Sequence, residues 1–170
     1  MLGLGDGVEA ISEPVRIRPS AFEDLYRDER SGMIRLAYLI TQSRPVAEEI
    51  VHEAFLAVLE RWTTLRSPGG YLRTAVVRSA VKSRTRRLRE HDVALRQVGR
   101  DLQPPGVDEM WDALAGLPVN QRAALVLRFY EDLSHEQIAA VLHCNVATAR
   151  SLTHRGLTAL RKDIDRWTTA

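Results

Sequence analysis

Residues 133–162, LSHEQIAAVLHCNVATARSLTHRGLTALRK, contain two helix starts separated by a short break. Ser134 followed by Gln137 has the spacing of a capping box, in which each side chain bonds the other residue's backbone N–H. Asn145 suits the N-cap of a second helix, and residues 143–145 would form the turn between the two helices. Two consecutive capped helices with a three-residue break predict a helix-turn-helix.

The second helix of this stretch is amphipathic. Its apolar residues recur at roughly helical spacing and predict a buried face, which consists of Val146, Ala149, Leu152, Leu157 and Leu160. The residues left on or near the other face are Arg150, Ser151, His154 and Arg155. An arginine early in such a helix can bond O6 and N7 of guanine together, which contributes about 1–3 kcal/mol of discrimination between bases. The stretch therefore predicts a DNA-reading helix, with a solvated basic face on a helical bundle as the alternative.

Charge is distributed unevenly along the chain. The 170 residues are 45% hydrophobic, enough for one or two small cores, and the formal net charge is only +2. Residues 66–100 nevertheless contain ten basic residues against two acidic ones, and the rest of the chain is acidic. Such segregation favours a polyanion on one face and leaves acidic surfaces for a protein partner.

A single cysteine, Cys144, excludes an intrachain disulfide and a multi-cysteine zinc site. The chain has no uninterrupted apolar run of about 18 residues, and its start lacks the basic and then apolar segments of a signal peptide. We therefore expect a cytoplasmic protein with no membrane span, and we predict neither a cofactor nor a metal.

Two helices are predicted in the first part of the chain. Ser20 and Glu23 have the spacing of a capping box, and a helical stripe of apolar residues continues from there to about Thr41. Pro45 suits the first turn of the second helix, which has the most regular amphipathic pattern in the chain. The polar face of this second helix carries Glu48, Glu49, His52, Glu53 and Glu60.

A third helix is predicted from Tyr71, after a loop at residues 63–70, and it becomes strongly basic toward Arg89. Periodicity then fades, and Pro104, Pro105 and Gly106 end a linker. A short helix around residues 110–117, a helix opened by Pro118 and the helix-turn-helix follow. The prediction is an all-α chain with two small domains joined by a flexible linker: a flexible tail at 1–19, a first domain at 20–89, the linker at 90–106 and a second domain at 107–170.

Three segments resemble one known family, the extracytoplasmic-function (ECF, group IV) sigma factors of bacterial RNA polymerase. Residues 47–62, AEEIVHEAFLAVLERW, and the Pro-Gly-Gly-Tyr-Leu-Arg start of the basic helix resemble region two of that family. Residues 111–151 resemble its region four almost throughout, and the resemblance as a whole covers about residues 20–166. The short linker is also similar, because this group lacks a region-three domain.

The resemblance implies a non-enzymatic subunit that gives RNA polymerase its promoter specificity. The acidic helix would dock on the clamp of the largest polymerase subunit, and the second domain would meet the flap of the second-largest subunit. The basic helix would bind the promoter's −10 element as a melted strand, and the last helix would recognise the −35 element as duplex. An anti-sigma factor that hides the polymerase-binding faces is a further partner that the resemblance implies.

The family's patterns place these roles on particular residues of the sequence. The positions implied for polymerase binding are Glu49, His52 and Glu53, with Leu56 and Leu59 as apolar neighbours. Those implied for the −10 element are Arg66, Arg73, Arg78 and Lys82, with Arg84, Arg86 and Arg87 on phosphates. Those implied for the −35 element are Arg150, Ser151, His154 and Arg155, with Thr148 on a phosphate.

The sequence departs from the family's pattern at several places. Arg78 occupies a position that often carries asparagine, and Tyr71 one that often carries tryptophan, so the base captured from the −10 element is not fixed by the resemblance. We expect Tyr71 to pack in the core. His143 stands where the family usually has glycine, so we expect a positive φ and a mildly strained turn there.

Two other classes of protein remain as alternatives. A free-standing regulator would use only the helix-turn-helix, although no obvious symmetric dimer helix is present and the acidic and basic helices would have no role. A metal-dependent hydrolase would use Glu48, Glu49, His52 and Glu53 as ligands, although the sequence has no HExxH motif and no second histidine near His52.

Overall fold

The computed structural model describes residues 19–89 and 113–168, and within these two ranges all regular secondary structure is helical. The helices are α1 (Pro19–Thr41), α2 (Arg44–Glu60), α3 (Pro68–Arg89), α4 (Val119–Phe129), α5 (His135–Leu142) and α6 (Val146–Thr168). Residues 113–116 add one helical turn before α4. The predicted all-helical fold is confirmed. The predicted linker, and the predicted tail apart from Pro19, lie outside the described residues.

The first helical group consists of α1, α2 and α3, which all contact one another. Pro45 lies in the first turn of α2, as predicted. The starts of the other two helices differ from the prediction: α1 begins at Pro19 and not at Ser20, and α3 begins at Pro68 and not at Tyr71. In both cases the helix begins at a proline. The fixed φ of proline suits the first turn, and its missing N–H costs nothing there because the first N–H groups of a helix have no acceptor within the helix.

The second helical group consists of α4, α5 and α6 and contains the predicted helix-turn-helix. The capping box at the start of α5 is present, with Ser134 N donating to Gln137 Oε1 at 2.8 Å and Gln137 N donating to Ser134 Oγ at 3.2 Å. Asn145 caps α6, because its Oδ1 accepts from Thr148 N at 2.7 Å. His143 ends α5 in the left-handed conformation, at φ 56° and ψ 48°. These local predictions are confirmed.

The two helical groups pack against each other. In addition to the contacts within each group, α1 contacts α4, and α3 contacts both α4 and α5. The buried apolar residues form one continuous cluster to which all six helices contribute: Leu36, Ile40, Val51, Val58, Leu72 and Val76 from the first group, and Leu127, Ile138 and Ala149 from the second are among its members. The parts of the chain predicted as two domains therefore share a core.

Candidate nucleic-acid interface

The exposed face of α6 carries the residues predicted to recognise duplex DNA. Four of them are exposed and Ser151 is half-buried; the exposed four are Thr148, Arg150, His154 and Arg155. The opposite face is held in the core by Ala149, Thr153 and Gly156, and the buried Thr153 hydroxyl donates to Ala149 O at 2.9 Å. The sequence pattern missed Thr153 and Gly156 as buried residues. Their burial nevertheless turns the predicted face outward.

A carboxylate that was not among the predicted site residues lies beside this face. Glu136 Oε1 is 3.6 Å from Arg150 Nη2, and both side chains are well exposed. The backbone N–H of Glu136, the Ser134 hydroxyl and, to a smaller extent, the Arg150 charge lower the pKa of the Glu136 carboxyl below its ordinary value. Glu136 is therefore an anion at neutral pH, within reach of an arginine that is predicted to contact bases. Glu136 lies in the first turn of α5, two residues after the predicted capping serine, where a carboxylate is favourable. This position could have indicated Glu136 from the sequence.

The polar face of α2 presents the residues predicted to bind polymerase. Glu49, His52 and Glu53 are all exposed on one side of the helix, while the other side is buried in the core. Leu56 and Leu59 continue this side toward the C-terminus and are 47% and 41% exposed. Exposed leucines beside exposed carboxylates form a surface that can bind a protein by apolar contact and orient it by charge.

The basic residues of α3 and of the loop before it are distributed over more than one surface. Arg66, Arg78, Lys82 and Arg86 are exposed, whereas Arg73, Arg84 and Arg87 are half-buried. Lys82, Arg86 and Arg87 line an open groove of about 630 Å³ between α2 and α3, together with Glu49 and Glu53. The structure thus brings part of the predicted DNA-binding set and part of the predicted polymerase-binding set to one groove of mixed charge.

Arg73 and Arg78 lie elsewhere, at the contact between the two helical groups. Arg73 Nε donates to Glu131 Oε2 across this contact, and the Glu131 side chain is only 11% exposed. Arg78 donates from Nε to Val141 O and from Nη2 to Ala140 O, both at 2.9 Å. Arg78 thereby binds the carbonyls at the C-terminal end of α5, where a positive charge is favourable. Such contacts join residues 58 and 63 positions apart in the chain, and no local sequence pattern indicates them.

Tyr71 lies near the loop between α2 and α3. It is half-buried and packs against the core, which agrees with its expected packing role. Arg61 was not selected from the sequence; its Nη1 donates to the Tyr71 hydroxyl at 3.1 Å, and its guanidinium carbon lies 5.7 Å from the ring centroid. The contact connects the end of α2 to the start of α3 and so restrains the loop between them.

Other kinds of site find little support in the described structure. Residues 19–89 and 113–168 contain no group of three or more histidine, cysteine, aspartate or glutamate side chains placed to hold a metal ion. In the same two ranges, no helix combines the length and the apolar character that crossing a membrane requires. Cys144 is a free thiol, half-buried next to the turn of the helix-turn-helix.

Comparison with known proteins covers both helical groups. The family described as "Sigma-70, region 4" matches residues 108–160. The RNA polymerase sigma-E factor of Streptomyces coelicolor is 27% identical over 153 residues, which are 84% of this chain and 85% of that protein. The ECF RNA polymerase sigma factor SigE of Mycolicibacterium smegmatis is 31% identical over 156 residues, 83% of this chain and 60% of that protein.

A solved structure has the same fold. The sigma factor RpoE of Bartonella quintana, in complex with the anti-sigma factor NepR, superposes with a TM-score of 0.72 at 18% sequence identity. The superposition covers 86% of this chain and 98% of that one. A free-standing regulator would share only the helix-turn-helix with sigma factors, whereas here the similarity extends over most of the chain. The chain belongs to the ECF family of RNA polymerase sigma factors, non-enzymatic proteins that direct transcription initiation.

Proposed function

We propose that the protein directs core RNA polymerase to promoters by three surfaces. The exposed face of α2 would bind the polymerase clamp, α3 and the loop before it would bind the −10 element as a separated strand, and the exposed face of α6 would recognise the −35 element in duplex DNA. The observation that carries this proposal is the exposed face of α6, where Thr148, Arg150, His154 and Arg155 lie opposite the buried residues. A helix seated in this way can enter the major groove without losing its packing.

For the −35 element, the N-terminal end of α6 would enter the major groove. Asn145 caps the helix, so the first turn is fixed in direction before Thr148 and Arg150 project from it. Arginine distinguishes guanine by bonding O6 and N7 together, and threonine suits a phosphate contact. Glu136 would restrict the positions of the Arg150 side chain in the free protein, because the two side chains lie 3.6 Å apart.

For the −10 element, the basic residues of α3 and the exposed Arg66 of the preceding loop would follow the phosphates of one strand. A melted strand needs positive charge along its backbone and a pocket for an extruded base, because unstacking a base costs a few kcal/mol. Arginines that contact only phosphates would bind every sequence alike and would make the affinity depend on salt.

For polymerase, the acidic residues of α2 would orient the docking and the exposed Leu56 and Leu59 would supply apolar contact. The flap of the second-largest subunit would meet the second helical group, in which Phe129 and Tyr130 are large exposed apolar residues at the end of α4. We also propose an anti-sigma factor as a partner, since the similar RpoE structure is a complex with one. Such a partner would compete with polymerase for the leucines of α2.

Run-off transcription tests the proposal. Sigma-free core polymerase from the source organism is supplied with fragmented genomic DNA, with and without the purified chain. We expect discrete starts only with the chain, preceded by two sequence motifs at constant spacing. Absence of starts, together with a mobility shift of duplex DNA by the chain alone, would favour a free-standing regulator instead.

Two variants test the α6 surface and the α2 surface independently. Arg150→Ala should relax the preference at one position of the upstream motif by about 1–3 kcal/mol and leave polymerase binding unchanged. Arg161→Ala is the matched control, because Arg161 is also an exposed arginine of α6 but lies three turns farther along the helix. Glu53→Lys should weaken polymerase binding and leave binding of isolated duplex DNA at least as strong. If Arg150→Ala and Arg161→Ala change the preference at the upstream motif equally, Arg150 is not the residue that recognises the base.

A further inference from the structure

The face of α6 proposed to recognise duplex DNA has a negative charge beside its positive ones. Arg150, His154 and Arg155 are exposed on α6, and Glu136 Oε1 of α5 lies 3.6 Å from Arg150 Nη2. Within α5, Glu136 is the only acidic residue. A carboxylate on a surface that faces DNA is repelled by the phosphates and lowers the affinity for every sequence.

The start of α5 holds this carboxylate in place. Glu136 is the second residue of the helix, and its own backbone N–H and the Ser134 hydroxyl bind the carboxylate and lower its pKa. Ser134 is fixed in turn by the capping box with Gln137. The negative charge therefore has a defined position, and the long side chain of Arg150, which is 65% exposed, is the partner whose contacts the pair can change.

The contact with Glu136 affects the possible ligands of Arg150 unequally. A guanidinium has five N–H donors, and guanine needs only two of them for O6 and N7. Arg150 can therefore bond a guanine while the carboxylate stays beside Nη2. A phosphate on the same guanidinium would bring a second full negative charge close to Glu136, whereas O6 and N7 carry only partial charges. The repulsion is accordingly larger for a phosphate than for a base.

We propose that Glu136 is a specificity-determining residue for duplex DNA, which acts through Arg150 by weakening its contacts with phosphates more than its contact with a base. The inference rests on the proposed role of Arg150 at the −35 element. Phosphates are alike in every sequence, so weaker phosphate contacts raise the ratio of specific to non-specific affinity. Glu136 is a positioning residue, since it acts on the arginine and not on the base.

Non-specific affinity provides the first test. Glu136→Gln removes the charge and keeps the size of the side chain, so Arg150 gains access to phosphates. We measure fluorescence anisotropy of a labelled, random-sequence 20-base-pair duplex with the full chain at several salt concentrations. Glu136→Gln should bind about threefold more tightly than the wild type, which is the scale of an exposed ion pair. Its affinity should also fall more steeply with salt, by up to about one phosphate contact.

Two further variants show whether the gain depends on Arg150. Asp132→Asn is the matched control, because Asp132 is an exposed acid of the same helical group, and asparagine tolerates its φ of 51°. This control should tighten binding less than Glu136→Gln does. In an Arg150→Ala background, Glu136→Gln should lose most of its effect. An equal gain with and without Arg150 would mean that Glu136 acts by its own charge, and the inference would be overturned.

Base preference provides the second test. Core polymerase with each variant transcribes a pool of templates in which the upstream motif of one promoter, found by run-off transcription, is randomised, and the transcripts are sequenced. Arg150→Ala should lose the preference at one position. Glu136→Gln should reduce the preference at that same position by about threefold, because Arg150 then divides its contacts between base and phosphate. The double variant should match Arg150→Ala.

The outcomes separate this inference from the proposed function. If Arg150→Ala loses the preference while Glu136→Gln changes neither preference nor duplex affinity beyond the Asp132→Asn control, the inference is wrong and the role of Arg150 stands. If Arg150→Ala leaves every position unchanged, the proposed role of Arg150 fails and the inference fails with it. A change at a different position in Glu136→Gln would show that Glu136 contacts DNA itself, which overturns a role through Arg150.

Discussion

Arg122 Nη1 donates to the main-chain oxygen of Ile40 at 2.8 Å, although the two residues are 82 positions apart in the chain. The Arg122 side chain is 1% exposed, and its other donors reach the carbonyls of Leu114, Ala115 and Leu117. One guanidinium therefore holds the turn before α4 and joins it to the end of α1. Arginine suits this position because its donors point in several fixed directions from one plane.

Replacement of Arg122 by methionine should lower the free energy of unfolding by about 3 kcal/mol or more, because four carbonyls, two of them buried and two partly buried, lose a charged donor. Arg122→Lys should recover only part of that loss, since a single ammonium cannot reach in all these directions. Urea denaturation of each variant measures both changes. Arg161→Met, at an exposed position of α6, is the control and should stay within about 0.5 kcal/mol of the wild type. A comparably small effect at Arg122 would mean that the hydrogen bonds contribute little net stability.

Two helical glycines should respond in opposite ways to replacement by alanine. A Cβ on Gly156 of α6 would lie 3.0 Å from Cγ and Cδ1 of Leu125 and 3.3 Å from the oxygen of Gln121. Leu125 is itself buried in α4, so it has little room to move. Gly156→Ala should therefore destabilise the protein by about 1–3 kcal/mol despite the better helix propensity of alanine.

Gly32→Ala is the matched comparison, because Gly32 lies within α1 and a Cβ there would meet nothing within 4 Å. It should raise the free energy of unfolding by up to about 1 kcal/mol. Thermal or urea unfolding of the two variants, measured together, gives the sign of each change. Stabilisation by Gly156→Ala would show that α4 and α6 can move apart at little cost.

Local chemistry explains which features could be predicted from the sequence. The capping box of Ser134 and Gln137, the Asn145 cap and the positive φ of His143 each depend on residues a few positions apart, so the sequence pattern contains them. The exposed face of α6 followed from periodicity in the same way. The α3 helix begins three residues before the predicted start at Tyr71, because the Gly-Gly pair after Pro68 has the composition of a loop.

Contacts between distant residues could not be predicted in this way. Nothing in the local pattern distinguishes Arg73 and Arg78, which bind the second helical group, from Arg66 and Lys82, which remain exposed. All four are basic residues in one basic segment. Which of them meets a carboxylate or a carbonyl depends on how the two groups pack, and this is set by a core that spans the whole fold.

His143→Gly should stabilise the protein. The His143 backbone is left-handed at φ 56°, which costs a residue with a Cβ about 1–2 kcal/mol, whereas glycine adopts it freely. Glycine also makes the unfolded chain more flexible, so we expect a net gain of about 0.5–1 kcal/mol in the free energy of unfolding. His143→Val should destabilise it, because a β-branched residue tolerates a positive φ least. Differential scanning calorimetry of the wild type and the two variants measures the order of their stabilities. A loss of stability in the glycine variant would contradict this account.

The Glu136 carboxylate should make the helix-turn-helix sensitive to acid. Its own backbone N–H, the Ser134 hydroxyl and the Arg150 charge, in decreasing order, lower its pKa in the folded protein. A lowered pKa means that the ionised carboxylate favours the folded state at neutral pH. This contribution is lost as the pH falls through the folded-state pKa, because protonation removes the charge that these groups bind.

Ser134→Ala should therefore raise the pKa of Glu136 and weaken the start of α5 by about 1 kcal/mol, since the same hydroxyl also caps the helix. Arg150→Ala should raise the Glu136 pKa by less, because the Arg150 charge contributes less than the Ser134 hydroxyl does. Carboxyl carbon NMR titration of Glu136 in the wild type and both variants gives the three values. A larger shift for Arg150→Ala than for Ser134→Ala would mean that the ion pair, and not the capping serine, holds the carboxylate in place.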